Sequence, residues 1–241
     1  MLRALPALLL LALALGAQPA AAAPVRILFV GDEILDAGDI PARLASLAKA
    51  MGREAEVESI SLPSYTLGDQ WRDGRALEAL RKGWTYVVLE QAAAVGADER
   101  SQLAASTRRF AERIRAQGAK PALFMTWPPE EQARYFPEAI ASARAAAEAS
   151  GVMLVPAAEA WLRVLSKDRH AGLYSGGARP SSRGGDLAVL TLWFTFFPAG
   201  PRDFDDAYVA RLGEALTIEP GRREPWIDAA TRAVDEPLSL K

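Results

Sequence analysis

The chain carries a single histidine, His170, and no cysteine, so the candidate groups for chemistry are chiefly carboxylates, hydroxyls and amides. Those groups collect in three places. Gly31-Asp32-Glu33 follows the apolar run 25–30, Glu90-Gln91 follows Val87-Val88-Leu89, and the segment Leu173-Tyr174-Ser175-Gly176-Gly177-Ala178-Arg179-Pro180-Ser181 lies late in the chain. Paired carboxylates such as Asp32, Glu33 and Glu90 could act as nucleophile, acid and base in the way glycosidases use them. Adjacent Asp32 and Glu33, however, generally point apart, and anions at strand ends are ordinarily solvated or hydrogen-bonded. Ser175, Ser181 and Ser182 could each be a nucleophile only with a base beside it. Ser181 or Ser182 more naturally caps the helix that follows. A lone histidine ahead of a loop is ordinarily a surface residue, and His170 precedes Arg179 by nine positions. With one histidine and no thiolate, and without an Asp-x-Asp-x-Asp-Gly loop, neither a metal nor a cofactor is expected.

The elements that must position these groups alternate between short apolar runs and amphipathic stretches. Runs 25–30, 57–62, 86–89, 122–127 and 152–155 read as strands. Between and after them, helices are expected at about 40–51, 71–81, 98–117, 137–149, 158–166, 182–196, 205–216 and 226–234. Asp39 before Ile40-Pro41 marks a helix start, and Gly52, Gly118 and Gly151 mark stops. This rhythm predicts an α/β fold: a doubly wound, flavodoxin-like, five-stranded parallel sheet with helices on both faces. In such a sheet the ligand crevice lies beyond the carboxyl ends of the strands, where Asp32, Glu33, Glu90 and Gln91 fall. Trp193, Phe194, Phe196 and Phe197 follow Leu187, Val189, Leu190 and Leu192 on one helix, and core packing explains them better than a ligand surface. For Trp127 and Tyr135 two readings stand: rings over the crevice for a sugar or acyl group, or a loop anchored by packing.

Residues 1–23 run from Arg3 through an apolar core at 8–15 to Ala20-Ala21-Ala22-Ala23, the order of a secretory signal peptide. The core is too short to span a bilayer. The expected organisation is a signal peptide at 1–23 and one domain at 24–241, with the mature chain beginning near Ala23 or Pro24, exported to the periplasm or secreted, without stable membrane insertion. Half of the 241 residues are apolar, enough to bury one substantial core without disulfides. The 28 basic residues are outnumbered by 30 acidic ones, and no basic block is present. Nucleic acid is therefore not an expected partner. The oligomeric state leaves no mark in the sequence.

Taken in order, these blocks resemble the SGNH/GDSL hydrolases, exported esterase-like α/β proteins, and the resemblance extends over almost the whole mature chain. In that family the first strand ends in Gly-Asp-Ser or Gly-Asn-Ser carrying the nucleophile, so Glu33 stands at the serine position. Thr66-Leu67-Gly68 resembles the second block, which implies that the Gly68 N–H is an oxyanion donor. Val87-Val88-Leu89-Glu90-Gln91 resembles the Gln-rich form of the third block, which implies that Gln91 is the amide donor. The last block, Leu-Tyr-x-x-Asp-Gly-x-His-Pro-Ser, is matched with Gly176 at the aspartate and Arg179 at the histidine. All three triad positions, Glu33, Gly176 and Arg179, are then substituted.

Such substitutions remove the chemistry that the resemblance implies. Imidazole suits the base role because it titrates near neutral pH; guanidinium stays protonated and offers only donors. Opposite charges at the serine and histidine positions predict a Glu33–Arg179 ion pair. The expectation is a catalytically inactive, hydrolase-like protein whose crevice binds a small molecule or carbohydrate, such as an acylated carbohydrate or envelope polymer, through Asp32, Gly68 and Gln91. The alternative is an ester hydrolase of acetylesterase type using a rearranged site built on Glu33 or a relocated serine. A structural partner of an envelope assembly is a third reading, and it predicts an exposed apolar patch in place of a ligand pocket.

Overall fold

Five parallel strands in the order β2-β1-β3-β4-β5 form the centre of the molecule in a computed structural model that describes residues 23–197 and 204–239. They are β1 (Val25–Gly31), β2 (Ala55–Ser61), β3 (Tyr86–Leu89), β4 (Lys120–Phe124) and β5 (Met153–Val155). The proposed leader lies outside the described residues. β1 pairs with β2 on one side and β3 on the other, and Ile27, Leu28, Phe29 and Val30 are fully buried, as continuous apolar runs in a doubly covered sheet require. The doubly wound order and the five strands agree with the sequence reading.

Ten α-helices surround the sheet among the described residues: α1 (Glu33–Ala37), α2 (Ile40–Ala50), α3 (Leu67–Asp73), α4 (Arg75–Ala79), α5 (Ala97–Ala116), α6 (Phe136–Ser150), α7 (Ala157–Lys167), α8 (Ser182–Phe196), α9 (Asp206–Ala215) and α10 (Pro220–Asp235). One contacting group contains α3, α5 and α6, and another contains α2, α7, α8 and α10. The helix expected at 71–81 is instead two short helices, divided at Gly74, whose φ of 87° only glycine adopts readily. Among the described residues no helix is long and apolar enough to cross a membrane.

The aromatic residues of α8 lie in the core, with Trp193, Phe194, Phe196 and Phe197 all buried. Trp127 belongs to the core as well. Its ring stacks on Trp161 at 3.6 Å and 10°, and its Nε1–H donates to the Ala178 carbonyl at 2.8 Å. Of the two readings for Trp127, packing is the one observed. Gly184 makes room for this stack, since a Cβ there would lie 2.5 Å from Trp161 and 2.2 Å from the Leu173 carbonyl.

Between α7 and α8 the chain forms a small antiparallel hairpin, β6 (Tyr174–Gly176) and β7 (Arg179–Pro180). Its tip is Gly176-Gly177, with φ of 127° and 56°. The Trp127 bond fastens the hairpin to the loop after β4, as do Tyr174 Oη–H donating to the Pro128 carbonyl at 3.0 Å and Glu130 N–H donating to the Gly177 carbonyl at 3.0 Å. Ser181 then caps α8 by accepting from Gly184 N–H at 3.2 Å.

Candidate functional site

The parallel register places Val30 beside Leu89 and Leu89 beside Leu123. The residues just past these positions therefore emerge together at the carboxyl edge of the sheet. Gly31 lies opposite Glu90, and the fit is close: a Cβ at Gly31 would sit 2.3 Å from Glu90 Oε2. The Glu90 carboxyl occupies that space. Its Oε2 accepts from Asp32 N–H at 2.8 Å and its Oε1 accepts from the Thr126 hydroxyl at 3.0 Å. Gln70, also fully buried, donates from Nε2 to the carbonyls of Gly31 at 2.6 Å and Ile60 at 3.1 Å, fixing the ends of β1 and β2.

Asp32 is the N-cap of α1 and accepts from Ile34 N–H at 2.8 Å. Burial raises its pKa, the Ile34 N–H works against that rise, and the charge of Glu33 adds to it. Glu90 is displaced further, well above the ordinary carboxylate range, first by complete burial and then by the charge of Asp32. Neighbouring carboxyl groups disfavour each other's charge, and the fully buried Glu90 is the one pushed further toward its neutral form.

A cleft of about 450 Å³ opens over Asp32. Asp32, Glu33 and Gln91 line it from the sheet side, Ser64, Tyr65 and Thr66 from the loop before α3, Glu99 and Gln102 from the first turns of α5, and 176–179 from the hairpin. Glu33, Gly176 and Arg179, the positions that the resemblance matches to the triad, thus border one cavity with Asp32 and Gln91. Gln91 is 8% exposed, and its Oε1 accepts from Leu67 N–H at 3.0 Å. Its Nε2 has no protein acceptor among the described residues, so the amide has donors to offer a ligand.

Two expectations fail. Glu33 and Arg179 form no ion pair: Glu33 Oε2 accepts from Ser64 N–H at 2.5 Å, while the Arg179 side chain extends from the hairpin into solvent. Glu33 sits in the first turn of α1, facing the loop before α3, and the hairpin is tied to the opposite wall. Gly68 does not border the cleft either. A capping box between Thr66 and Asp69 starts α3 and turns Gly68 toward a separate groove with Trp71, Ser106 and Arg109. In the place expected for Gly68 the cleft has Ser64, Tyr65 and Thr66. Ser64 is exposed, with a φ of 60° that is costly for a residue with a Cβ. Nothing in the sequence signalled it, because the strain comes from the path between β2 and α3. His170 is exposed and outside the cleft lining, with its N–H donating to Asp168 Oδ1 at 2.9 Å. Among the described residues no group of three or more histidine, aspartate or glutamate side chains could hold a metal ion.

The sheet order and the crevice at its carboxyl edge fit an SGNH/GDSL-hydrolase-like α/β fold. Solved structures bear this out. A Slackia heliotrinireducens protein provisionally described as an SGNH hydrolase aligns at 27% identity over 71% of this chain and 98% of its own, with a TM-score of 0.61. A DUF4886 family protein from Bacteroides uniformis aligns over 90% of this chain and 97% of its own at 14% identity and a TM-score of 0.72. An acetyl xylan esterase aligns over 72% of this chain and 100% of its own at 15% identity and a TM-score of 0.62. No protein-family model matches the chain. No curated protein matches it either.

Proposed function

We propose that this chain is an exported protein of the SGNH/GDSL-hydrolase fold that has lost ester hydrolysis and uses the inherited cleft to bind an acylated carbohydrate or another cell-envelope polymer. One observation carries the reading: no serine bordering the cleft has a proton acceptor bonded to its hydroxyl. Ser64 is the only serine in the lining, and it engages Glu33 through its backbone N–H. At the positions that the resemblance gives to the nucleophile and base, a carboxylate and a guanidinium offer no alcohol and no neutral-pH base. What remains suits binding: the Gln91 amide, the Asp32 and Glu33 carboxylates and the Tyr65 ring are a set that recognises sugar hydroxyls and faces. Export rests on the leader-like order of residues 1–23, and the carbohydrate class rests on analogy with esterase neighbours of this fold.

Hydrolysis by a rearranged site is the second reading, and Ser64 favours it. Ser64 is strained and exposed beside a carboxylate, and strained residues gather at reacting centres. Short aryl acetates decide between the two. Under the proposal, purified protein gives no turnover above buffer between pH 6 and 9. Turnover that disappears in Ser64→Ala establishes the hydrolase instead.

A further inference from the structure

Four carboxyl side chains are buried among the described residues: Asp32, Glu90, Glu159 and Asp186. Two of them are neutralised in the usual way, Glu159 by Arg144 and Asp186 by Arg43, each at 2.7 Å. Among the described residues no lysine, arginine or histidine forms an ion pair within 4.0 Å of Asp32, Glu90 or Glu33. Glu159 and Asp186 thus have a paired arginine, whereas Asp32 and Glu33 in the cleft lining and Glu90 beneath them have none. Burying anions without a cation is costly, and the shift of Glu90 toward its neutral form relieves only part of that cost. Arg179 borders the cleft from the hairpin, but its side chain is exposed and pairs with no carboxylate among the described residues, so the acidic groups of the lining outnumber it.

The cleft also contains a donor aimed at a ligand. Gln91 is more than nine-tenths buried, and its Oε1 is spent on Leu67 N–H, which turns an unpartnered Nε2 toward the cavity it lines. A ligand that satisfies both features carries a positive charge for Asp32 and Glu33 and, within a few ångströms of it, a neutral oxygen for Gln91.

We propose that the cleft selects a sugar unit bearing a free, protonated amino group, as in a partly de-N-acetylated amino-sugar polymer, with the ammonium at Asp32 and Glu33 and a ring or acyl oxygen at Gln91. An ammonium has three donors and no acceptor, and so meets two carboxylates at once without leaving one unpaired. A fully N-acetylated or neutral sugar reaches Gln91 but leaves the anions bare. This inference rests on the carbohydrate-binding reading above and narrows it to one charge class.

The test is calorimetric titration of the purified protein with a glucosamine tetrasaccharide at pH 6, where the amine is charged, against the same tetrasaccharide fully N-acetylated, against xylotetraose, and against calcium chloride. The amine-bearing sugar binds roughly tenfold or more tightly than its N-acetylated form at low salt, an advantage that shrinks as salt screens the charges. Glu33→Gln brings the two affinities toward equality, and a melting temperature matching the parent's tells this apart from a misfolded variant, which loses binding and melting transition together. Equal or tighter binding of the N-acetylated sugar or of xylotetraose overturns this inference and leaves carbohydrate binding standing. Binding of no sugar overturns both. Calcium binding that competes with the amine-bearing sugar for these carboxylates, at an affinity above it, makes the site a cation site and overturns the sugar assignment.

Discussion

Gly31→Ala tests how the site floor is assembled. The added methyl group would lie 2.3 Å from Glu90 Oε2, 2.8 Å from Leu35 Cδ1 and 2.9 Å from Glu90 Cβ, about 1 Å inside ordinary contact for the first of these. Glu90 cannot simply swing away, because its two oxygens hold Asp32 N–H and the Thr126 hydroxyl. Overpacking of this kind costs about 1–3 kcal/mol, and pushing the carboxyl off a buried N–H adds about 1–3 kcal/mol. A total near 3 kcal/mol lowers Tm by roughly 6–12 °C in a domain of this size. Gly68→Ala is the control: the nearest atom to its Cβ is 3.5 Å away in a helical first turn, and its Tm stays within about 3 °C of the parent. Differential scanning calorimetry at pH 6 reads both. If Gly31→Ala melts within about 1 °C of the parent, the packing of Glu90 against Gly31 is wrong. Equal losses in the two variants would show that glycine replacement in general, and not this contact, sets the stability.

Other expectations follow from the same buried carboxyls. Glu90 and Asp32 have raised pKa values in the folded state, so their contribution is complete below the ordinary carboxylate range and is lost as pH rises through the raised values. Glu90→Gln keeps the shape without the titration. Urea midpoints at pH 5 and pH 8 should fall less with pH in the variant than in the parent, and an unchanged pH slope contradicts the assignment. Asp186, pushed up to about 7 by burial in spite of Arg43, adds to the same decline between about pH 4 and 7, and Asp186→Asn flattens that part of the curve. Gly184→Ala drives a methyl group into Trp161 and the Leu173 carbonyl, at a cost of about 1–3 kcal/mol. Near-ultraviolet circular dichroism should report the disturbed indole stack, and an unaltered tryptophan signal argues against it.

The centre of the sheet was legible because β1 and β3 are nearly continuous apolar runs, as a parallel ladder buried on both faces requires, while the edge strand β2 showed as Val57 and Ile60 among polar residues. Boundaries depended on turn residues: the start and end of α8 matched, since Ser181 is a strong cap, whereas Gly74 went unnoticed inside a helical pattern and split it. α10 begins earlier than the pattern at 226–234 suggested, because Pro220 fits a helix start that the periodicity does not reveal. The site was legible in part. Glu33, Gly176, Arg179, Asp32 and Gln91 line one cleft: strand order brings the ends of β1 and β3 to one edge, and bonds to the loop after β4 bring the hairpin there. The Glu33–Arg179 pair and the place of Gly68 were not legible, because each depends on how a side chain or a helix start turns once its neighbours are placed. Ser64 N–H captures Glu33, and the Thr66–Asp69 capping box rotates Gly68 out of the cleft. Glu90 was visible only as a strand-end anion. Its role as buried partner of Asp32 follows from the register of β1 against β3.

Central to this account is a cleft in which no serine hydroxyl is bonded to a base, among the described residues. A fluorophosphonate reacts with an activated serine whatever ester that serine prefers, so intact mass after prolonged incubation of the purified protein is the most direct measurement. The account predicts an unmodified mass across neutral pH. A single stoichiometric adduct on Ser64, Ser175 or any other serine near the cleft contradicts it.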